Sequence, residues 1–257
     1  MTADQPFDIS GRTALVTGSS RGIGLALARG LARAGCEVVL HGMDPARCKD
    51  AATALAEETG ASVHAVPFDI TDAATIRAGV AEVVATLGSV DILVNNAGIQ
   101  RRHPLVEFPV EEWEEIVAIN LTAPFLIAQQ VAPSMISAGH GKIVNIGSVQ
   151  SRLARPGITP YSASKGGIVM LTRGLCADLA AHGIQVNALA PGYIRTELTR
   201  ALVEDQQFSA WVRGRTPAAR WGEVDDLVGG LLFLCSPAAD FVNGQVLYVD
   251  GGMTAVV

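Results

Sequence analysis

Aromatic side chains are scarce: Phe, Trp and Tyr make up 5% of the 257 residues, against 27 glycines. That balance suits many tight strand-to-helix turns and argues against an all-β sandwich. A basic excess is missing too, with 19 Lys and Arg against 25 Asp and Glu, a formal net charge of −6 and a pI near 5.4. No nucleic-acid partner is therefore expected. Cys36, Cys48, Cys176 and Cys235 form no Cys-x-x-Cys pair, and the five histidines are equally scattered. Neither a disulfide framework nor a metal site is expected. No apolar run reads as long enough to cross a bilayer, and the opening MTADQPFDIS is too polar and acidic for a signal peptide. Together these absences point to a cytoplasmic, soluble enzyme or binding protein with no membrane partner.

What is present is alternation. Short β-branched runs at Thr13–Thr17, Glu37–His41, Ser62–Phe68, Asp91–Asn95, Lys142–Gly147, Gln185–Ala190 and Val246–Val249 read as strands. Between them, Ile23–Ala34, Pro45–Thr59, Ala73–Leu87, Val110–Ser137, Pro160–His182 and Glu223–Cys235 carry apolar residues three and four apart and read as helices. Strand and helix in strict succession imply parallel pairing with right-handed crossovers. The expectation is α/β: one Rossmann-type, doubly wound parallel sheet of about seven strands, helices on both faces, in a single domain over 1–257. Residues from Gly192 to about Thr216 form the largest irregular stretch, a candidate lid.

The first strand runs into Thr17-Gly18-Ser19-Ser20-Arg21-Gly22-Ile23-Gly24 and then a helix. Gly18 allows the sharp turn, Gly22 the approach of a pyrophosphate, and Gly24 close helix–strand packing, while the helix N-terminus favours phosphate. This points to dinucleotide binding through Gly18, Ser20, Arg21, Gly22, Ile23 and Gly24. An acid at the end of strand two would bond both ribose hydroxyls and select NAD. Here the chain reads His41-Gly42-Met43-Asp44, with Gly42 in that place, His41 and Gly42 expected among the cofactor contacts along with Asp69 and Ile70, and Asp44 ready to cap the next helix ahead of Pro45. Arg21 is free to pair with a 2′-phosphate. NADP(H) is favoured, with NAD(H) the alternative. Asp69, followed by Ile70, either accepts a bond from the adenine amino group or shapes the turn before Thr71-Asp72.

Tyr161 and Lys165 stand four apart on a helix opened by Thr159 as N-cap and Pro160, so they share a face. A phenol with a pKa of about 10 is a poor base near neutrality, and a nearby ammonium should lower that value. Ser148, at the end of strand five, can bond a substrate oxygen while Tyr161 takes its proton. Asn120 falls within the long helix Val110–Ser137, where asparagine has poor propensity; facing inward, it can anchor a water that relays protons from Lys165.

Joint spacing of the glycine loop, Asn95-Asn96-Ala97-Gly98, Asn120, Ser148, Tyr161, Lys165 and Pro191-Gly192 resembles the short-chain dehydrogenase/reductase family over nearly the whole chain. The resemblance implies a tetrad of Asn120, Ser148, Tyr161 and Lys165, with Tyr161 as acid/base and Lys165 also holding the nicotinamide ribose. It implies that Asn96, Ala97 and Gly98 lie under the adenosine ribose, that Pro191, Gly192, Ile194 and Thr196 line the nicotinamide, and that the protein is a homotetramer. Three stretches, NNAGIQRRHPLVEFP, RTPAARWGEVDDLVG and FVNGQVLYVDGG, are similar to the gluconate 5-dehydrogenase branch of that family. Met43 departs from that branch, which often has arginine there.

The resemblance implies a polyol or sugar-acid substrate, D-gluconate and 5-keto-D-gluconate foremost, held by Arg101, Arg102, Ser148, Gln150 and Tyr161. Guanidinium matches a carboxylate with two parallel hydrogen bonds. Adjacent residues of an extended chain point to opposite sides, so one arginine of the pair is expected to reach the substrate, Arg102 before Arg101. A 3-oxoacyl carrier-protein reductase of the same family is the alternative; its acidic partner needs a basic docking patch, and basic residues cluster only at Arg101/Arg102 and Arg213/Arg215/Arg220. A dinucleotide-sensing protein without catalysis would have no need of both Tyr161 and Lys165.

Overall fold

Burial on both faces explains why the strands are nearly unbroken apolar runs. In the computed structural model, which describes residues 5–257, β1 (Thr13–Val16), β2 (Glu37–Leu40), β3 (Val63–Ala65), β4 (Ile92–Asn95), β5 (Gly141–Ile146), β6 (Ile184–Pro191) and β7 (Val246–Val249) form one sheet. Residues 1–4, the start of the stretch read above as no signal peptide, lie outside the described residues. Strand order is β3-β2-β1-β4-β5-β6-β7, and every neighbouring pair is parallel. The expected doubly wound architecture is what forms.

Successive strand residues face opposite sides. Ala14 and Val16 join Val38 and Leu40 beneath α1 (Gly22–Arg33), α2 (Pro45–Thr59) and α9 (Val228–Cys235), whose Leu27, Leu31, Leu55 and Leu231 are fully buried. Leu15, Val39, Leu93 and Ile143 face α3 (Ala73–Leu87), α5 (Ala123–Ala138) and α6 (Thr159–Leu179), meeting Ile76, Val80, Ile127 and Val131. Each of these Leu, Ile or Val side chains contributes about 1.5–3 kcal/mol by leaving water. The helix signals act as expected at α2, where the Asp44 carboxylate accepts from Arg47 N at 3.1 Å and Pro45 is the first helical residue. Asp72 caps α3 in the same way.

Four expectations need correction. Val110–Ser137 is not one α-helix: α4 (Val110–Val117) passes through a π turn, Ala118–Thr122, into α5. The same segment, Val110–Ala138, is long and apolar enough to cross a membrane by length and hydropathy, which the apolar-run reading missed; half of its apolar window is buried inside the fold, as in a core helix. Thr159 is the first residue of α6 rather than its cap, and Ile158 at the cap position supplies no side-chain bond. The supposedly irregular stretch after Gly192 contains two helices, α7 (Arg200–Glu204) and α8 (Gln206–Arg215), with Asp205 capping α8 through Phe208 N. Its sequence mixes exposed charges with single apolar contacts, which weakens the periodic signal.

Candidate active site

The carboxyl ends of β1, β4, β5 and β6 lie along one sheet edge, with Asn95 level with Asn145 and Ile146 level with Leu189. The chain reverses direction across the sheet between β1 and β4, and ligands of open α/β sheets bind at such a switch point.

The glycine loop is held from three sides. Gly18 has φ +61°, and a Cβ there would meet Ala97 Cα at 2.8 Å. Gly24 packs against the Gly18 carbonyl and the Asn96 amide, with no room for a side chain. Gly22, at φ +60°, opens on free space. Asn96 Nδ2 donates to Thr17 O (2.9 Å) and Gly18 O (3.1 Å), while Thr17 Oγ1 accepts from the amides of Asn96 and Ala97. No acidic residue stands in the first turn of α1, and Arg21 makes no side-chain cap, so the helix N-terminus keeps its amides for an anion. These features fit a dinucleotide pyrophosphate. Bound NADP would seat its phosphates on Gly18–Gly24.

His41 does not face the cleft. It is 1% exposed, accepts from Gly18 N at Nδ1 (3.1 Å), and with the hydrogen therefore on Nε2 donates to Phe68 O (3.0 Å). Burial drives its pKa down to about 4, so it is neutral and structural, fixing the glycine loop to the ends of β2 and β3. Gly42 lies beside Ser20, whose Oγ a Cβ would approach at 3.1 Å. The ribose-selecting acid is absent, as expected, and Arg21 is exposed, 3.7 Å from Glu197 across the cleft mouth. At Asp69 the turn reading fits the geometry: Oδ1 accepts from Thr71 N (2.8 Å) and Thr71 Oγ1 (2.7 Å). Ile70 is buried beside it.

Asn120, Ser148, Tyr161 and Lys165 converge. Asn120 sits in the π turn, 1% exposed, clamped to the next loop: Oδ1 accepts from Ile99 N (2.8 Å) and Nδ2 donates to Ile99 O (2.9 Å) and Ser164 Oγ (3.1 Å). Single-turn π bulges occur often at functional sites. The side chain is thus committed to positioning, and any water it anchors is not held by its side-chain donors. Ser164, one residue before Lys165, passes the contact on by donating to Tyr161 O (2.8 Å). Thr17 opens the glycine loop and Ser164 precedes Lys165, yet neither was given a role from sequence, because hydroxyls that only brace backbone and neighbouring side chains carry no chemical signature of their own.

Lys165 is 4% exposed, donates to Ile146 O at 2.7 Å, and lies 5.7 Å from the centre of the Tyr161 ring. Burial lowers its pKa to about 8. Burial also raises the Tyr161 pKa, which the facing Ser148 hydroxyl partly offsets. This corrects the expectation that Lys165 would depress the phenol: in the protein's own electrostatics desolvation of Tyr161 is larger than any ammonium effect. Ser148 Oγ accepts from Gln150 N (3.1 Å), orienting the hydroxyl, and buried Gln150 Oε1 has no partner among the described residues.

Past β6, Gly192 N donates to Val249 O and a Cβ on Gly192 would meet Asp250 Cα at 2.7 Å. Pro191 and Ile194 are buried, and Thr196 Oγ1 bonds Thr199 locally. The two arginines differ in their partners. Arg101 forms a half-exposed ion pair with Glu115 at 3.1 Å, a structural partner that Arg102 lacks among the described residues. Arg102 is exposed and enters no salt bridge among the described residues; the Arg155 charge and Tyr193 lie within electrostatic reach of it. Arg155 and Tyr193 were not singled out from sequence. Tyr193 directly follows the Pro191-Gly192 motif and was within reach; Arg155, in a loop without a motif, was not.

Residues 18–254 match a family model described as enoyl-(acyl carrier protein) reductase. The chain is 54% identical over 248 residues to gluconate 5-dehydrogenase of Gluconobacter oxydans, covering 96% of each chain. It is 50% identical over 251 residues to 5-keto-D-gluconate 5-reductase of Escherichia coli K12, covering 98% of each. A solved gluconate 5-dehydrogenase from Burkholderia cenocepacia, in complex with NADP and tartrate, superposes with a TM-score of 0.96 at 53% identity over 100% of both chains.

Proposed function

The chain belongs to the short-chain dehydrogenase/reductase family, and from that premise we propose that it interconverts D-gluconate and 5-keto-D-gluconate with NADP(H). The observation that carries this reading is Arg102, a guanidinium without an acid partner among the described residues, standing in the loop that Asn120 clamps at Ile99.

When bound, the nicotinamide of NADP⁺ supplies the hydride acceptor and a positive ring charge. Ser148 donates to the C5 oxygen, Tyr161 takes the hydroxyl proton, and Lys165, when protonated, places a positive charge beside the phenol. Arg102 holds the carboxylate end, which leaves the far end of the sugar acid over Tyr161. In the reverse direction Tyr161 returns the proton to the carbonyl oxygen. Arg21 meets the 2′-phosphate, and no acid at the end of β2 opposes it. Support for Ser148, Tyr161 and Lys165 in these roles is their convergence at one sheet edge; support for NADP is Gly42 together with the NADP-bound relative. A homotetramer in the cytoplasm belongs to the same proposal, supported by exposed Trp113, Phe125 and Met170 on the helices flanking the sheet.

The test is a steady-state comparison of D-gluconate, 5-keto-D-gluconate and uncharged polyols with NADP and NAD. Turnover of the gluconate pair with NADP at the highest kcat/KM is expected. A preference for neutral polyols, or for NAD, would overturn the reading.

A further inference from the structure

Resting on the sugar-acid reading above, we infer that Arg155, braced by Phe208 of the lid helix α8, is the second half of the substrate's carboxylate clamp and its specificity-determining residue. Two loops meet at this rim. His103 N donates to Gly157 O at 3.2 Å, which stitches the chain just after Arg102 to the chain just after Arg155. Each guanidinium lies within electrostatic reach of the other and of Tyr193, and neither forms a salt bridge among the described residues. Like charges left within reach of each other at a cleft rim are destabilising until an anion sits between them. A carboxylate is such an anion, because each of its oxygens can take one planar fork.

Arg155 is not free to turn away. Its Cζ lies 5.1 Å above the Phe208 ring, a cation–π contact, and Phe208 packs edge-on to Tyr193 at 5.7 Å. Tyr193 in turn lies within electrostatic reach of both guanidiniums and of the Tyr161 phenol. The same arginine therefore links the loop that follows the Ser148–Gln150 turn in sequence to α8, on whose Phe208 its head rests. Trp211 and Trp221 close the aromatic cluster, each 5.7 Å from Tyr193. Gln150, with Oε1 buried and unpartnered on the same loop, offers an acceptor to a substrate hydroxyl beside the clamp. A neutral polyol leaves both guanidiniums unpaired, and this repulsion is the element that rejects it.

The experiment measures KM and kcat for D-gluconate, and the inhibition constant of tartrate, in the parent and in Arg155→Ala, Arg155→Lys and Phe208→Leu. Arg155→Ala is expected to raise the gluconate KM and the tartrate inhibition constant together by about ten- to a hundredfold, the loss of a hydrogen bond to a charged group, with kcat changed much less. Arg155→Lys, which keeps the charge and the stem but neither forks nor stacks as well, is expected to recover less than half of that loss on a logarithmic scale. Phe208→Leu should raise both constants severalfold. A tightly folded Arg155→Lys and Phe208→Leu with parent-like constants would overturn the role of Arg155, as would a fall in kcat with both constants unmoved, the mark of a purely structural contact. A parent that neither oxidises gluconate nor is inhibited by tartrate would overturn the clamp and the functional reading together; a parent active on gluconate with an indifferent Arg155 would overturn the clamp alone.

Discussion

Tyr161 carries the proton in this scheme, yet burial raises its pKa and Lys165 sits near 8 rather than near 10.5. Gluconate oxidation needs the phenolate, so its kcat is expected to climb with pH through the neutral and alkaline range. Reduction needs the phenol and should stay flat there until the phenol ionises. Stopped-flow measurement against pH of NADPH formation with gluconate and of NADPH consumption with 5-keto-D-gluconate distinguishes the two; parallel profiles would count against Tyr161 as the proton carrier. Tyr161→Phe removes the proton with little loss of packing. A fall in kcat of about 10²–10⁴, the usual contribution of general acid–base catalysis, is expected with NADP affinity nearly unchanged. At the other end of the cleft, Arg21→Ala should weaken NADP binding far more than NAD binding, because only NADP offers the 2′-phosphate. Equal losses in fluorescence titrations would assign Arg21 to the shared pyrophosphate.

Elements, rather than single side chains, set where these groups stand. The glycine loop depends on His41, whose neutral ring accepts from Gly18 N inside the core. Its folded pKa near 4 lies below the ordinary 6.5, so the unfolded chain binds the proton more readily. Stability is therefore full above about pH 6.5 and is lost as pH falls toward 4. The shift corresponds to roughly 3 kcal/mol for this buried group. Thermal unfolding from pH 7 to 4.5 should show a steep loss in the parent and a shallower one in His41→Gln; identical slopes would clear His41 of the effect. The π turn is the second such element. Asn120→Leu removes both bonds to Ile99, so it should loosen the Arg102 loop and raise the gluconate KM as well as lower kcat.

Legibility in the sequence followed the same division. Strand succession, the glycine loop and the Asp44 cap were readable because each is a local rule: period, turn chemistry, capping. The π turn was not, since an extra residue in a helical turn leaves no mark on an apolar pattern that continues on both sides. The fate of His41 was hidden for a different reason, since a histidine at a strand end reads alike whether it faces ligand or core. The ion pair that takes up Arg101 but not Arg102 is compatible with the alternation of neighbours, but Arg155 comes from a loop about fifty residues away in sequence, and only folding joins that loop to the one carrying Arg102.

At the scale of the whole molecule, one sheet covered on both faces satisfies the large apolar content, but the outer surface is not uniformly polar. Trp113, Phe125 and Met170 remain 42%, 43% and 61% exposed on α4, α5 and α6, and Phe241 is fully exposed before the edge strand β7. In the proposed homotetramer a second copy would cover such residues. Light scattering should give four chains for the parent and fewer for Phe125→Glu or Met170→Glu. A monomeric parent would contradict the tetramer without touching the chemistry. That chemistry is tested most directly by the position of one transferred atom. Reduction of 5-keto-D-gluconate with NADPH deuterated at both positions of nicotinamide C4 should yield D-gluconate carrying deuterium at C5 and nowhere else by NMR; deuterium at another carbon, or no transfer at all, would contradict the proposed activity.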